Sequence, residues 1–338
     1  MKKVILLAMS AFILFSLTST FSAFGAADRI RVGHFPNVTH APALIARATN
    51  HFEKSLGENA SIEWKTFTAG PEAIEALFAG ELDLLYVGPN PAINGFVRSK
   101  GDALRIIAGT AAGGSAFVVR EDAGIRKFED IRGKRVASPQ KGNSQDVTLL
   151  HLMRKKGLMP HSQGGDVELF NIAGGDQITV FIKKQVDAIW TVEPWVSRLT
   201  SEAGGKILFE ENELWPNGKY ATTLLVVRKK FMEQYPDLVQ KWVEAHIKIV
   251  DWVNENYTEA KQIFNDELKQ LTGKLLPTSY LDHSFGRIEF TYDPMESQVY
   301  ESAERAFAIG YLGGEKIDLK NLYELSFLSR AKNRSENL

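Results

Sequence analysis

The sequence predicts an α/β protein made of two similar β-α-β-α-β units whose strand ends face each other across a cleft. Three observations carry that reading: the length and composition, an alternation of strand-like and helix-like segments, and a set of residues that recurs at a constant offset of 104 positions. The 338 residues suit about two domains. With 44% hydrophobic residues, 10% aromatics and 12 prolines, wholesale disorder and collagen-like repeats are excluded. The chain has no cysteine, which rules out disulfide frameworks, cysteine zinc sites and thiol nucleophiles. Its 40 Lys+Arg balance 41 Asp+Glu, so there is no basic excess to displace counterions and no nucleic-acid partner is expected.

The first residues read as a secretory signal peptide, residues 1–26. Lys2 and Lys3 precede an apolar run of 14 residues, Val4 to Leu17, and a small-residue stretch ending Ala23-Phe24-Gly25-Ala26-Ala27 follows. The run is shorter than the roughly 20 residues that span a bilayer. Cleavage after Gly25 and cleavage after Ala27 both leave small residues at the required positions. Removal of residues 1–26 leaves 38 basic against 41 acidic residues. With no cysteine to carry a lipid, an exported, unanchored protein in the periplasm is expected.

The elements then follow in order. Residues 30–33 form a short apolar strand, and residues 39–48 a helix with Pro42 in its first turn, where proline is tolerated. Residues 62–67 are a second strand. Residues 71–79 are a helix that starts on Pro71 and stops before Gly80, and residues 82–87 are a third strand ending at Gly88-Pro89-Asn90-Pro91. This order implies a parallel sheet covered by helices.

The same order returns 104 residues later. Ala69-Gly70, Ile74 and Asp83 recur as Ala173-Gly174, Ile178 and Asp187, and Val32 falls on Val136. Core positions keep step: Leu82 matches Val186 and Leu85 matches Ile189. Around residues 62–67 the alternation is out of phase by one residue with residues 167–171.

Ligands of parallel sheets bind beyond the carboxyl ends of the strands, where loops enter helix N-termini. Those edges hold residues 34–39, 68–70 and 88–91 in the first unit, and 138–144, 173–175 and 192–195 in the second. The loop Ser138-Pro139-Gln140-Lys141-Gly142-Asn143-Ser144 leads into a helix running to Lys156, whose free N–H groups suit an anion. Gly113-Gly114-Ser115, after a strand at 104–110, offers further backbone donors. Beyond the strand at 186–190, Trp195 is either a flat wall of the cleft or core. Glu193 is either a partner for a ligand amine or a helix-start residue.

Catalytic motifs are absent. The seven histidines are scattered without metal spacing, and there is no G-x-S-x-G elbow, phosphate-binding loop or dinucleotide fingerprint. No cofactor, metal or enzymatic activity is expected. After a strand at 221–227 the chain turns helical, with apolar stripes over 238–254 and 258–271; a short strand at 288–292 and a helix at 295–308 precede a polar tail that is expected to fray beyond Ser329.

Arg29-Ile30-Arg31-Val32-Gly33, Ala69-Gly70-Pro71, Ala79-Gly80-Glu81-Leu82-Asp83, Gly88-Pro89-Asn90-Pro91, Ile131-Arg132-Gly133-Lys134-Arg135-Val136-Ala137 and Val192-Glu193-Pro194-Trp195 together resemble the periplasmic solute-binding proteins for nitrate, aliphatic sulfonates and taurine that serve ABC importers. The resemblance spans nearly the whole mature chain. It implies the two-lobed periplasmic-binding-protein fold (type II), each lobe a mostly parallel sheet flanked by helices, joined by two hinge crossovers. Lobe one would hold residues 27–115 plus 220–338 and lobe two residues 116–219. The resemblance also implies a monomer that closes on a small anionic ligand and docks on an ABC permease in the inner membrane.

Carried onto matching positions, the resemblance makes Asn37, Gly88, Pro89, Asn90, Gly114, Ser115, Ser138, Asn143, Ser144, Glu193 and Trp195 candidate ligand residues; Phe35 joins them as a wall for an alkyl tail. An aliphatic sulfonate is the preferred ligand, and taurine if Glu193 faces the cleft. Nitrate, bicarbonate or a thiamine-precursor pyrimidine, a pyrimidine-synthase-like enzyme and a sensor-input domain are the alternatives.

Overall fold

The computed structural model describes residues 29–57, 60–313 and 318–335; the expected signal peptide lies outside the described residues. The strands are β1 (Ile30–His34), β2 (Ile62–Thr66), β3 (Leu84–Val87), β4 (Leu104–Gly113), β5 (Ser115–Arg120), β6 (Arg135–Ser138), β7 (Glu168–Asn171), β8 (Ala188–Val192), β9 (Gly205–Glu210), β10 (Ala221–Arg228) and β11 (Ile288–Phe290). They form two sheets, one ordered β11-β4-β10-β3-β1-β2 and the other β7-β6-β8-β5-β9. In each sheet three parallel strands (β2-β1-β3 and β7-β6-β8) meet an antiparallel strand, β10 in the first and β5 in the second.

Helices cover both faces of each sheet because the parallel strands are apolar on both sides. On one face of the first sheet Val32, Leu84 and Tyr86 pack against the helix Pro236–Glu255, where Trp242 stacks on Phe52 at 3.8 Å. On its other face Leu85 and Val87 meet Ile74, Ile93 and Phe96. The second sheet repeats the arrangement with Val136 and Trp190 on one face and Ala137 and Ile189 on the other.

The 104-residue repeat is exact where it matters for geometry. Val32 lies beside Leu84 as Val136 lies beside Ala188, and the helix Gly70–Phe78 matches Gly174–Ile182. The one-residue phase slip is local: Val32 pairs with Trp64 but Val136 with Leu169, an offset of 105 that the next loop restores to 104.

The repeat also extends to an ion-pair clamp that periodicity did not reveal. Arg31 donates from its backbone N–H (3.0 Å), Nε (2.9 Å) and Nη2 (2.8 Å) to Asp83. Arg135 makes the same three bonds to Asp187 at 2.9, 3.1 and 2.9 Å. Both aspartates sit at strand starts, opposite the edge that faces the other lobe. A second arginine reaches each one, Arg228 for Asp83 and Arg120 for Asp187. These arginines hold both carboxyls below the usual range against the opposing effect of burial.

The chain passes from the first sheet to the second at Gly113-Gly114 and returns between Glu210 and Ala221. Both glycines have left-handed backbone, φ +79 and +83, and a Cβ on Gly113 would lie 2.8 Å from the Arg287 carbonyl. Glycine fits this crossover for both reasons. The C-terminal tail does not fray at Ser329. Residues Ser326–Ser335 form a helix docked on Pro236–Glu255, with Phe327, Leu328 and Ala331 buried and Arg330 donating to Gln240. The apolar residues at 327, 328 and 331 are spaced for one helix face, a signal masked by the surrounding polar residues.

Candidate functional site

Between the lobes lies a cavity of about 70 Å³ lined from both sides. At ~10–15 Å³ per water, that is room for roughly five waters, hence for a small molecule. Four helix N-termini border it: Ala69 before Gly70–Phe78, Gly88 before Pro89–Arg98, Asn143 before Ser144–Lys155, and Gly174 at the head of Gly174–Ile182. None of the four helices has its N-terminus capped by the side chain of its N-cap residue. Four positive dipole ends meeting at one space suit an anion, and two of the first-turn N–H groups, those of Gly70 and Asn90, are taken by side chains of the other lobe.

The 138–144 loop shows how this is arranged. Asp146 accepts from Ser138 Oγ (2.7 Å), Asn171 Nδ2 (3.1 Å) and the Gly142 N–H (2.8 Å), which fixes the turn from below. Asn143 is thereby freed from capping its own helix. Its Oδ1 instead accepts the Gly70 N–H of the other lobe at 3.2 Å, and Ser144 Oγ accepts the Asn90 N–H at 3.3 Å. These bonds exist because the lobes are together, so the structure is the closed arrangement.

Around the helix ends stand neutral donors and two flat walls. Thr39, Thr68, Thr191, Thr222 and Gln145 contribute hydroxyl or amide groups, and Phe35 and Trp195 the apolar faces. Trp195 rests against the helix start so closely that a Cβ on Gly174 would overlap its Nε1. Among the described residues, no lysine, arginine or carboxylate lines the cavity. His40 does, but burial, and secondarily His34, hold its imidazole well below the ordinary value, so it is neutral. Its Nδ1 accepts from the Phe35 N–H at 3.4 Å, which leaves the proton on Nε2.

Of the residues expected from sequence, Phe35, Asn37, Gly88, Asn143, Ser144 and Trp195 come together here. Six do not line this cavity. Pro89 borders a smaller adjoining cavity; Asn90 is buried and donates to Ser302 Oγ at 2.8 Å. Gly114 and Ser115 lie at the hinge, where the Ser115 N–H donates to Tyr220 Oη at 2.9 Å. Ser138 is spent on Asp146, as described.

Glu193 takes the helix-start role, the second of the two open to it, and not that of a ligand partner. It is fully buried, accepting from the Ser197 N–H (3.0 Å), Ser197 Oγ (3.0 Å) and Ser284 Oγ (2.9 Å), with Arg287 at 3.4 Å. Burial raises its carboxyl despite these partners. Enclosed in this way it faces no ligand amine.

Sequence reasoning missed Thr191 and Thr222 as lining residues. Thr191 adjoins a loop already singled out, and Gln145 ends the loop that begins at Ser138. Thr222 arrives from β10, more than a hundred residues from the other first-lobe loops, and carried no local signal.

Two α/β lobes whose helix N-termini meet around an interlobe cavity define the class of two-lobed periplasmic-binding-protein folds. The chain belongs to the NMT1-like family, whose model matches residues 26–265. It is 27% identical over 308 residues to a putative aliphatic sulfonates-binding protein of Bacillus subtilis, covering 89% of this chain and 87% of the relative. It is 28% identical over 206 residues to the taurine-binding periplasmic protein of Escherichia coli, 61% of each chain. Among solved structures, the alkanesulfonate-binding protein SsuA of Xanthomonas axonopodis pv. citri bound to MOPS is similar with a TM-score of 0.72 and 21% identity, over 86% of this chain and 96% of that one.

Proposed function

We propose that this protein is the periplasmic solute-binding component of an ABC importer, closing its two lobes on a small organosulfonate and handing it to a permease of the inner membrane. The observation that carries this reading is the convergence of four helix N-termini on a cavity that, among the described residues, no lysine, arginine or carboxylate lines. A sulfonate is ionised at every physiological pH, so it needs neutral donors and dipole ends rather than a counter-charge. Its carbon-bound side would rest on Phe35 and Trp195, which bare nitrate would leave uncovered. The sulfonate- and taurine-binding relatives support the same ligand class.

Binding without turnover is the proposed activity: among the described residues, His40 is the one titratable side chain lining the cavity and no nucleophile–base pair accompanies it. With Glu193 enclosed elsewhere, the preference for an amine-bearing sulfonate loses its basis. The test is a calorimetric and thermal-shift panel of alkanesulfonates, taurine, nitrate, bicarbonate and pyrimidines on protein lacking residues 1–26. A sulfonate should raise the melting temperature by mass action; stabilisation by pyrimidine or nitrate alone refutes the assignment.

A further inference from the structure

The anion site and the seam between the lobes share one helix. Ser144–Lys155 presents its N-terminus to the cavity, and further along it lies against Glu296–Ala308 of the first lobe. Residues three and four apart share a helix face, which puts Val147, His151 and Arg154 on the seam together. Val147 is buried among Val299 and Ala303 of the first lobe, and Arg154 donates to the Ala308 carbonyl. Between these two contacts stands His151, whose Nδ1 is buried and finds no hydrogen-bond partner among the described residues. The charges that reach it are Arg154 and Lys155 from its own helix and Arg305 and Glu301 from the facing one. Three are cations, and the carboxylate is held by Arg305 at 2.6 Å. Arg305 itself is buried, donates to the Leu214 carbonyl of the return crossover at 2.8 Å and lies over the Trp215 ring at 3.6 Å, which fixes it in place.

We infer that His151 is a proton switch on lobe closure: a proton on its imidazole opens the seam, and capture of the anion weakens as the medium turns acid. The inference rests on the closing anion site proposed above and adds its regulation. A protonated imidazole donates from both nitrogens. In the seam its Nδ1–H would have no acceptor and its charge would face Arg305, whereas parted lobes give it water. Burial, and then Arg305, accordingly hold the ring below its ordinary value, so the neutral form belongs to the closed state. One proton linked in this way changes affinity at most about tenfold per pH unit, and at most about thirtyfold from pH 7.5 to 5 for an ordinary histidine in the open state. Other groups at the junction act with the opposite sign: burial raises Glu193 and Glu211, and a carboxyl that closure buries gains affinity as pH falls. The switch is therefore read as a difference between two proteins.

His151→Gln keeps a polar side chain that stays neutral and suits a helix interior. Calorimetry would titrate ethanesulfonate, ionised throughout, into the wild type and this variant from pH 7.5 to 5. Equal affinities at pH 7.5, with the wild type falling at least about threefold behind the variant at pH 5, support the inference. Histidine NMR gives the matching reading: the ring resonance missing from the variant should titrate lower with saturating ethanesulfonate than without it. A wild type that gains on the variant in acid, affinities that run parallel at every pH, or a ring titration that the ligand leaves unmoved overturns the switch and leaves the anion site standing. Failure of ethanesulfonate to bind either protein at any pH overturns both readings.

Discussion

Asn143→Ala separates closure of the lobes from their folding. Asn143 Oδ1 accepts a hydrogen bond from Gly70 N–H across the cleft and makes none to its own helix. The bond is therefore present in the closed form and absent once the lobes part. A net hydrogen bond of this kind contributes ~1 kcal/mol, within roughly 0.5–1.5. Removing it should raise the Kd for a bound sulfonate about fivefold, at ~1.4 kcal/mol per tenfold, with the change carried by faster dissociation. The unliganded protein should keep its stability to within ~0.5 kcal/mol. Calorimetry gives the Kd, stopped-flow tryptophan fluorescence the rates, and denaturant unfolding the stability. An unchanged Kd, or a loss of unliganded stability as large as the loss of affinity, would refute the reasoning. So would a loss beyond about thirtyfold, which belongs to a direct charge-assisted contact with the ligand.

Three further outcomes are expected. Gly174→Ala pushes a methyl group into Trp195 Nε1 and should cost at least about fivefold in affinity, at ~1–3 kcal/mol for overpacking, read by the same calorimetry. Asp83→Asn weakens the bonds from Arg31 and Arg228 and should destabilise by ~2 kcal/mol, yet leave affinity unchanged, because the clamp lies at the far end of the strands; altered binding would contradict that separation. His246 is buried, with Nε2 2.8 Å from the Gly109 carbonyl and Nδ1 3.3 Å from Tyr86 Oη, and burial pushes it down to about 4. Its contribution to stability is complete above the unfolded value of about 6.5 and is lost as pH falls toward 4. The stability gap between wild type and His246→Gln should therefore narrow by ~2 kcal/mol from pH 7 to 5, and a gap independent of pH would exclude the assignment.

What was legible in the sequence follows the range of the interactions involved. The β-α-β order and the 104-residue repeat are written in local apolar periodicity, and both sheets follow them. The edge of the sheets that faces the cleft was legible for the same reason, and Gly88, Asn143 and Trp195, read from that edge, line the interlobe cavity. Glu193 shares that edge and takes the helix-start role the sequence left open, bonding Ser197; its further partners Ser284 and Arg287, about ninety residues on, no local pattern encodes. The Arg31–Asp83 and Arg135–Asp187 clamps were missed because an arginine at a strand start reads as a solvated charge. Their spacing of 52 residues in both lobes was present all along.

A cavity lined by peptide N–H groups, hydroxyls, an amide and a neutral imidazole has a consequence for the surroundings in which the protein works. Mobile ions weaken attraction between exposed charges over a screening length of ~8 Å at 0.15 M ionic strength. Fixed dipoles in contact with an enclosed anion act at hydrogen-bond distance, inside that length. Capture should therefore proceed with nearly the same affinity in fresh water and in brine, which suits a compartment whose salt content follows the world outside the cell.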